Sequence, residues 1–207
     1  MSEMIQTVQE WDQPHLDPVF SLFRADVYAL LGVLLAKAPD ADLLAWLAAL
    51  ELDDGDGAAM HEAWQVLQLA AQRADCEQVA DEYQQLFVGI GRGELMPYGS
   101  WYLTGYLMET PLVVLRSELK RLGFERQAEV KEPEDHIAAL CQVMAMLVHP
   151  DEGHPASRQQ QFFKHHLQPW SLQLFRDMQN ASAAHFYSAV GRFGEVFVEQ
   201  EAWLLEG

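Results

Sequence analysis

Cysteine is nearly absent from this chain. Cys76 and Cys141 are its two cysteines, and no CxxC pair occurs. That excludes a disulfide framework or a thiolate metal cluster and points to buried thiols in a reducing compartment. Basic residues are also scarce. There are 13 Lys and Arg against 31 Asp and Glu, a formal charge of −18. Phosphate binding needs clustered cations, so nucleic acid is excluded as a partner. Long apolar runs are missing: the nearest, Tyr28 to Ala36, is broken by Gly32 and stops at Lys37. About 18 residues are needed to span a bilayer, so no membrane insertion is expected. The start, MSEMIQTVQEWDQP, has no basic segment followed by an apolar one, so it is not a secretory signal and a cytoplasmic location is expected.

Catalytic and metal signatures are absent as well. Ser100 lies in no G-x-S-x-G elbow, and His149, His154, His165 and His166 form no HExxH or ExxH pair. The run Asp53-Asp54-Gly55-Asp56-Gly57 resembles the start of a calcium loop, but the twelfth position is Trp64 instead of Glu. Gly89-Ile90-Gly91-Arg92-Gly93 alternates glycines but follows a helical pattern, whereas a phosphate cradle follows a strand and opens a helix. It reads as a connector. No metal and no cofactor are expected, and the chain is not expected to be an enzyme.

What remains is apolar and helical. Half of the residues are apolar, enough to bury a core in one large domain or two small lobes. Residues 19–37 place Phe20, Phe23, Val27, Leu30, Leu31 and Leu34 on one face. Asp40 reads as the cap of a second helix to about Leu50, a third covers 58–73, and Asp75 with Gln78 opens a fourth reaching Leu86 and Phe87. Later helices are expected over 134–148, 156–167, 170–178 and 183–204, with no sustained β alternation anywhere. The fold class is all-α. Residues 1–18, polar and containing Pro14 and Pro18, read as a loose arm.

The stretch from Met96 to Ile137 carries the unusual chemistry. Pro97-Tyr98-Gly99-Ser100-Trp101-Tyr102 reads as an irregular turn holding three large rings. A helix follows, with Thr110 as cap, Pro111 at its first position, Gly123 past its end and Leu112, Leu115, Leu119 and Leu122 on one face. Glu132-Pro133-Glu134-Asp135-His136 then sets three acids and an imidazole around an expected helix start with Pro133 at its first position. The acids could simply complement the helix dipole. They could equally accept arginine guanidinium groups through charged, often bidentate hydrogen bonds. Arg116 and Lys120 read as partners for nearby acids. Two base-free acidic segments, 38–72 and 132–157, would attract a basic ligand or merely keep the chain soluble.

These residues resemble those of the TorD/DmsD family of redox-enzyme maturation chaperones. The resemblance rests on Glu82-Tyr83…Leu86-Phe87-Val88-Gly89, on Pro97-Tyr98-Gly99-Ser100…Tyr102-Leu103 and on Glu132-Pro133-Glu134-Asp135-His136. It continues more faintly through His166-Leu167-Gln168-Pro169-Trp170. It implies an all-helical cytoplasmic chaperone that holds the twin-arginine leader of a molybdoenzyme precursor, and in some way its body, until cofactor insertion is complete. The implied peptide-binding residues are Tyr98, Ser100, Trp101, Tyr102, Glu132, Glu134, Asp135 and His136, with Leu86, Phe87 and Arg116 as further candidates. Guanine-nucleotide binding, connected with the family, finds no Walker-type loop here. The competing readings are a helical hydrolase with Asp135 and His136 as acid and base, and a non-catalytic scaffold.

Residues 124–132 are polar between Gly123 and Pro133. They are expected to be a hinge between an N-terminal lobe, 1–123, and a C-terminal lobe, 133–207. Such a hinge can close within one chain or across two, so a mainly monomeric protein with a minor domain-swapped dimer is expected.

Overall fold

The computed structural model describes residues 17–52, 58–127 and 130–206. The expected arm up to residue 16 and the calcium-loop-like turn at 53–57 lie outside the described residues. Among the described residues there are ten α-helices and no strand, so the fold is all-α. They are α1 (Pro18–Ala36), α2 (Ala41–Ala48), α3 (Ala58–Arg73), α4 (Cys76–Tyr83), α5 (Gly99–Thr104), α6 (Thr110–Leu122), α7 (Ile137–Val148), α8 (Ala156–His166), α9 (Ser171–Asn180) and α10 (Phe186–Glu206). One wide turn, Gln84–Val88, extends α4.

Local chemistry explains most of the boundaries. Asp17 accepts the Val19 amide at 3.0 Å with Pro18 in the first turn, and Asp40 accepts that of Leu43 at 3.0 Å. Asp75 caps α4 through the Glu77 and Gln78 amides. Gly123 ends α6 with φ of 82°, a left-handed conformation that glycine adopts without strain.

Other boundaries differ from expectation. α6 is capped by Glu109, so Thr110 is already helical. α7 begins at Ile137 with His136 as its cap, not at Pro133, because Tyr98 and His136 first pair as an isolated antiparallel bridge. The supposed aromatic turn is that bridge followed by helix α5. The last helix starts at Phe186, later than its apolar pattern suggested.

α1 packs mainly on α7, while α10 packs on α9 and α3, and α2 on α3. Gly32 lies where a methyl group would come within 3.2 Å of Gln142 on α7, so its small size lets the helices approach. The apolar side chains from both sides of residues 124–132 join a single core. Residues 124–127 and 130–132 are non-helical and exposed, apart from half-buried Phe124. α1 is, by length and composition, apolar enough to cross a membrane, which the interrupted run had not suggested. Here it is a core helix that buries Tyr28, Leu31 and Leu34 and carries Arg24 in a buried pair with Glu201.

The motif around Glu82 is architectural. Its carboxylate accepts the amides of His185, Phe186 and Tyr187 at 2.6 to 3.0 Å, closing the first turn of α10 from a distant helix. Tyr83 donates to the Ala36 carbonyl at the end of α1, and Gly89 takes φ of 61° beside the Arg92 backbone. We expect Glu82→Ala to cost about 2 kcal/mol, since it orphans buried donors at a helix end, and Glu82→Gln to cost less. Urea unfolding of the two variants checks this; equal losses would show that the acceptor oxygen is not what matters.

Candidate functional site

The bridge between Tyr98 and His136 brings the two sequence clusters together. Around it the Gly99 amide donates to the Asp135 carbonyl and the Ile137 amide to that of Pro97, both at 2.9 Å. The start of α5 is thereby clamped against the segment that leads into α7. Ser100, fully buried, donates its amide to Asp135 Oδ2 at 2.7 Å, so the carboxylate sits at a helix N-terminus. Ser100 Oγ in turn accepts the Met108 amide at 3.2 Å, tying down the loop that follows.

Asp135 is 3% exposed, and its second oxygen, Oδ1, has no hydrogen-bond partner. A buried carboxylate oxygen left unpaired is costly, so such a group is a candidate for an external donor. Asp135 lines a cleft of about 560 Å³ whose walls include Leu103, Pro111, Val114, Leu115 and Trp170. Outside it runs an open apolar strip from the end of α5 into α6, with Tyr106 70% and Met108 68% exposed and Val113 and Val114 also exposed.

The other acids of the cluster are already engaged. Glu134 Oε2 receives Arg116 Nε at 2.9 Å and an Arg116 terminal nitrogen at 2.8 Å, and Arg126 stands 3.7 Å from its other oxygen. Burial pushes the Glu134 carboxyl up, but Arg116 and Arg126 outweigh this and hold it below the usual carboxylate range. Glu132 accepts the Tyr98 hydroxyl. Burial, then this bond, pushes the phenol well above its ordinary value, so Tyr98 stays a donor.

His136 accepts the Ala138 amide on Nδ1 at 3.1 Å, and the Tyr98 ring packs edge-on against it with centroids 5.0 Å apart. Burial lowers its pKa to about 4 despite the pull of Glu132 and Asp135, so at neutral pH it is an uncharged cap. An imidazole held in this way is a poor partner for Asp135 in acid–base chemistry.

The remaining candidates lie apart from the cleft. Tyr102 stacks on Trp170 at 5.5 Å and donates to Asp177, and Trp101 sits under the Arg92 guanidinium at 4.4 Å. Leu86 is fully buried, and Phe87 packs on the rings of Tyr83 and Tyr187. Arg116 serves Glu134, the kind of pairing its sequence suggested.

Sequence reasoning did not assign the opposite wall to the site. His165 and His166 from α8 and Trp170 line it, with His166 Nε2 2.9 Å from Glu118 Oε2 and the Trp170 indole donating to the His166 carbonyl at 2.6 Å. The run His166-Leu167-Gln168-Pro169-Trp170 carried that signal. Among the described residues no group of three or more His, Cys, Asp or Glu could hold a metal ion.

The site is an apolar-walled cleft with one unpaired buried acid in an all-helical body, and comparison with known proteins identifies the family. The family model described as nitrate reductase delta subunit matches residues 53–176, more than half of the chain, and the chain belongs to that family, which includes the TorD and DmsD chaperones.

Among curated relatives, "Tat proofreading chaperone DmsD" of Salmonella typhimurium is 30% identical over 127 residues, which are 60% of each chain. "Chaperone protein TorD" of Vibrio cholerae is 24% identical over 202 residues, 88% of this chain and 92% of that one. The match to the first of these spans 60% of the relative's length. The fold is also that of a candidate redox enzyme maturation protein from Archaeoglobus fulgidus, with a TM-score of 0.52, 18% identity and coverage of 93% of this chain and 99% of that one. The named relatives are chaperones, not catalysts.

Proposed function

We propose that this protein is a cytoplasmic chaperone for the precursor of a molybdenum-cofactor oxidoreductase. It seats the precursor's twin-arginine leader in the cleft beside Asp135 and holds back export while the enzyme folds and receives its cofactor. The observation that carries this reading is Asp135 itself, which lines an apolar-walled cleft and whose buried Oδ1 has no hydrogen-bond partner. A leader joins a basic pair to an apolar segment. One guanidinium meets Oδ1 through a charge-assisted hydrogen bond, and the apolar segment lies along Leu103, Met108, Val113 and Val114. The surplus of acids steers the basic end inward. The names of the DmsD and TorD relatives support the same reading.

Titration calorimetry with an Arg-Arg leader tests it. Asp135→Asn keeps an acceptor for the Ser100 amide but removes the charge at the cleft. It should weaken binding about tenfold to a hundredfold, the worth of one charged hydrogen bond. The melting temperature should change little. Replacing Arg-Arg by Ala-Ala in the peptide should do the same to wild type and add little to the variant. Unchanged affinity in Asp135→Asn would overturn the assignment.

A further inference from the structure

The cleft beside Asp135 holds a second acceptor. His166 lines its opposite wall and is 8% exposed. Its Nε2 lies 2.9 Å from Glu118 Oε2, and the Phe162 ring packs against it with centroids 4.9 Å apart. A carboxylate has no proton to give, so Nε2 carries the hydrogen and donates it to Glu118. Burial lowers the pKa of the ring below its ordinary 6.5, although Glu118 pulls it up, so near neutral pH the imidazole is uncharged. Nδ1 is then an open lone pair, and among the described residues no donor reaches it. A buried acceptor left in this state is matched by a donor from outside the chain.

The backbone explains why the two acceptors share one cleft. The Asp135 carbonyl accepts the Gly99 amide at 2.9 Å, and its carboxylate accepts that of Ser100 at 2.7 Å. Gly99 lies against the Trp170 indole, where a methyl group would come within 3.1 Å of Nε1. That Nε1 donates in turn to the His166 carbonyl at 2.6 Å. A single indole therefore joins the segment clamped to Asp135 to the residue that carries the imidazole. Gly99 and Trp170 line the cleft as well.

We propose that His166 is the second acceptor for the guanidinium that meets Asp135, and that this pair of acceptors selects arginine over lysine. This role presupposes the leader reading above. A planar guanidinium carries five donors in a fixed fork and can serve two acceptors that lie in different directions. A lysine ammonium keeps the attraction to Asp135 but, as a compact and more strongly hydrated charge, gains less from a neutral second acceptor. Asp135 thus attracts any cation, and His166 ranks them. Glu118 holds the ring in the accepting tautomer and polarises it toward the ligand.

Titration calorimetry with matched leaders carrying Arg-Arg or Lys-Lys tests the assignment. Wild type should bind Arg-Arg about tenfold more tightly, the worth of one hydrogen bond from a charged donor. His166→Phe fills the space but accepts nothing. It should bring the two affinities within about twofold, chiefly by weakening Arg-Arg. A purely structural role for the ring would weaken both leaders alike and leave the ratio intact. A ratio near one in wild type, or an unchanged ratio in the variant, overturns the proposal. Neither result touches the leader reading while Arg-Arg binds and Ala-Ala does not. If the Arg-Arg leader itself fails to bind wild type, that reading falls and the proposal falls with it. Nitrogen-15 NMR of the unaltered chain needs no substitution. The His166 Nδ1 signal should start where an unprotonated ring nitrogen resonates, move upfield on adding Arg-Arg and stay in place with Lys-Lys. A protonated Nδ1 in the free protein, or equal shifts with both leaders, would also overturn it.

Discussion

Arg24→Ala should destabilise the protein by about 3–5 kcal/mol, most of it the consequence of leaving Glu201 buried without a counter-charge. Arg24 Nε and a terminal nitrogen grip the two Glu201 oxygens at 2.5 and 2.8 Å, its other terminal nitrogen reaches Gln159 at 3.1 Å, and Tyr28 donates to Glu201 at 2.9 Å. Arg24 is 1% exposed and Glu201 2%. Burial alone would lower the arginine's pKa, yet the bond to Glu201 and its charge raise it, and burial followed by Glu201 drives the Tyr28 phenol well up. The group therefore works as one charged unit joining α1, α8 and α10.

Replacing the ion pair outright, with methionine at both positions, should recover most of the loss, because paired desolvation disappears along with paired attraction. Urea denaturation of the single and double variants measures both numbers. A single-variant loss below about 1 kcal/mol would show that water reaches Glu201 and that the pair behaves like one at the surface.

This pair also shows where the sequence stopped being legible. Signals that act within a few residues were read directly: the Asp40 and Asp75 caps, the Gly123 terminus and the leucine face of α6. Partners far apart in sequence were not. Arg24 sits in a helix whose expected apolar face is buried at Val27, Leu30, Leu31 and Leu34 but exposed at Phe20, and nothing near Arg24 shows that its partner lies 177 residues away. The formal charge counts every acid alike, whereas Glu82, Glu118 and Glu201 are buried and engaged by amides, a histidine or an arginine, and Asp135 is buried with one oxygen held by an amide. Acidic excess therefore overstates the field available to a ligand.

The site divides in the same way. Glu132-Pro133-Glu134-Asp135-His136 marked the right place but could not separate the roles of neighbours. In an irregular segment successive side chains point in different directions, and each role is set by its distant partner. Arg116, 18 residues away, takes Glu134, while Ser100, 35 residues away, holds one oxygen of Asp135 and leaves the other open. The aromatic cluster was located equally well, but its rings brace the cleft and do not line it. Tyr98 supports His136 and Glu132, and Tyr102 stacks behind Trp170.

Acid should destabilise the protein through His136 before it protonates the carboxylates in bulk. Its native pKa is about 4 against 6.5 for the free side chain, because burial disfavours the cation more than Glu132 and Asp135 favour it. Between these values the unfolded chain binds a proton that the native state refuses, so stability falls as pH falls through this window. Below about pH 4 the native state accepts the proton too and the loss stops growing.

The full effect is on the order of 3 kcal/mol. His166, also lowered by burial against the pull of Glu118, acts in the same direction. His136→Asn separates the two histidines. Asparagine is a good helix cap and keeps an acceptor for the Ala138 amide, but it does not titrate. At about pH 7.5 the variant should match the wild type within roughly 1 kcal/mol, and at about pH 4.5 it should be the more stable by about 2 kcal/mol. Chemical denaturation at the two pH values decides. If the two proteins lose stability in parallel, the imidazole is hydrated in the native state and the cap at α7 does not carry the acid sensitivity. If they diverge as expected, His136 is uncharged at neutral pH and adds no positive charge of its own beside Asp135.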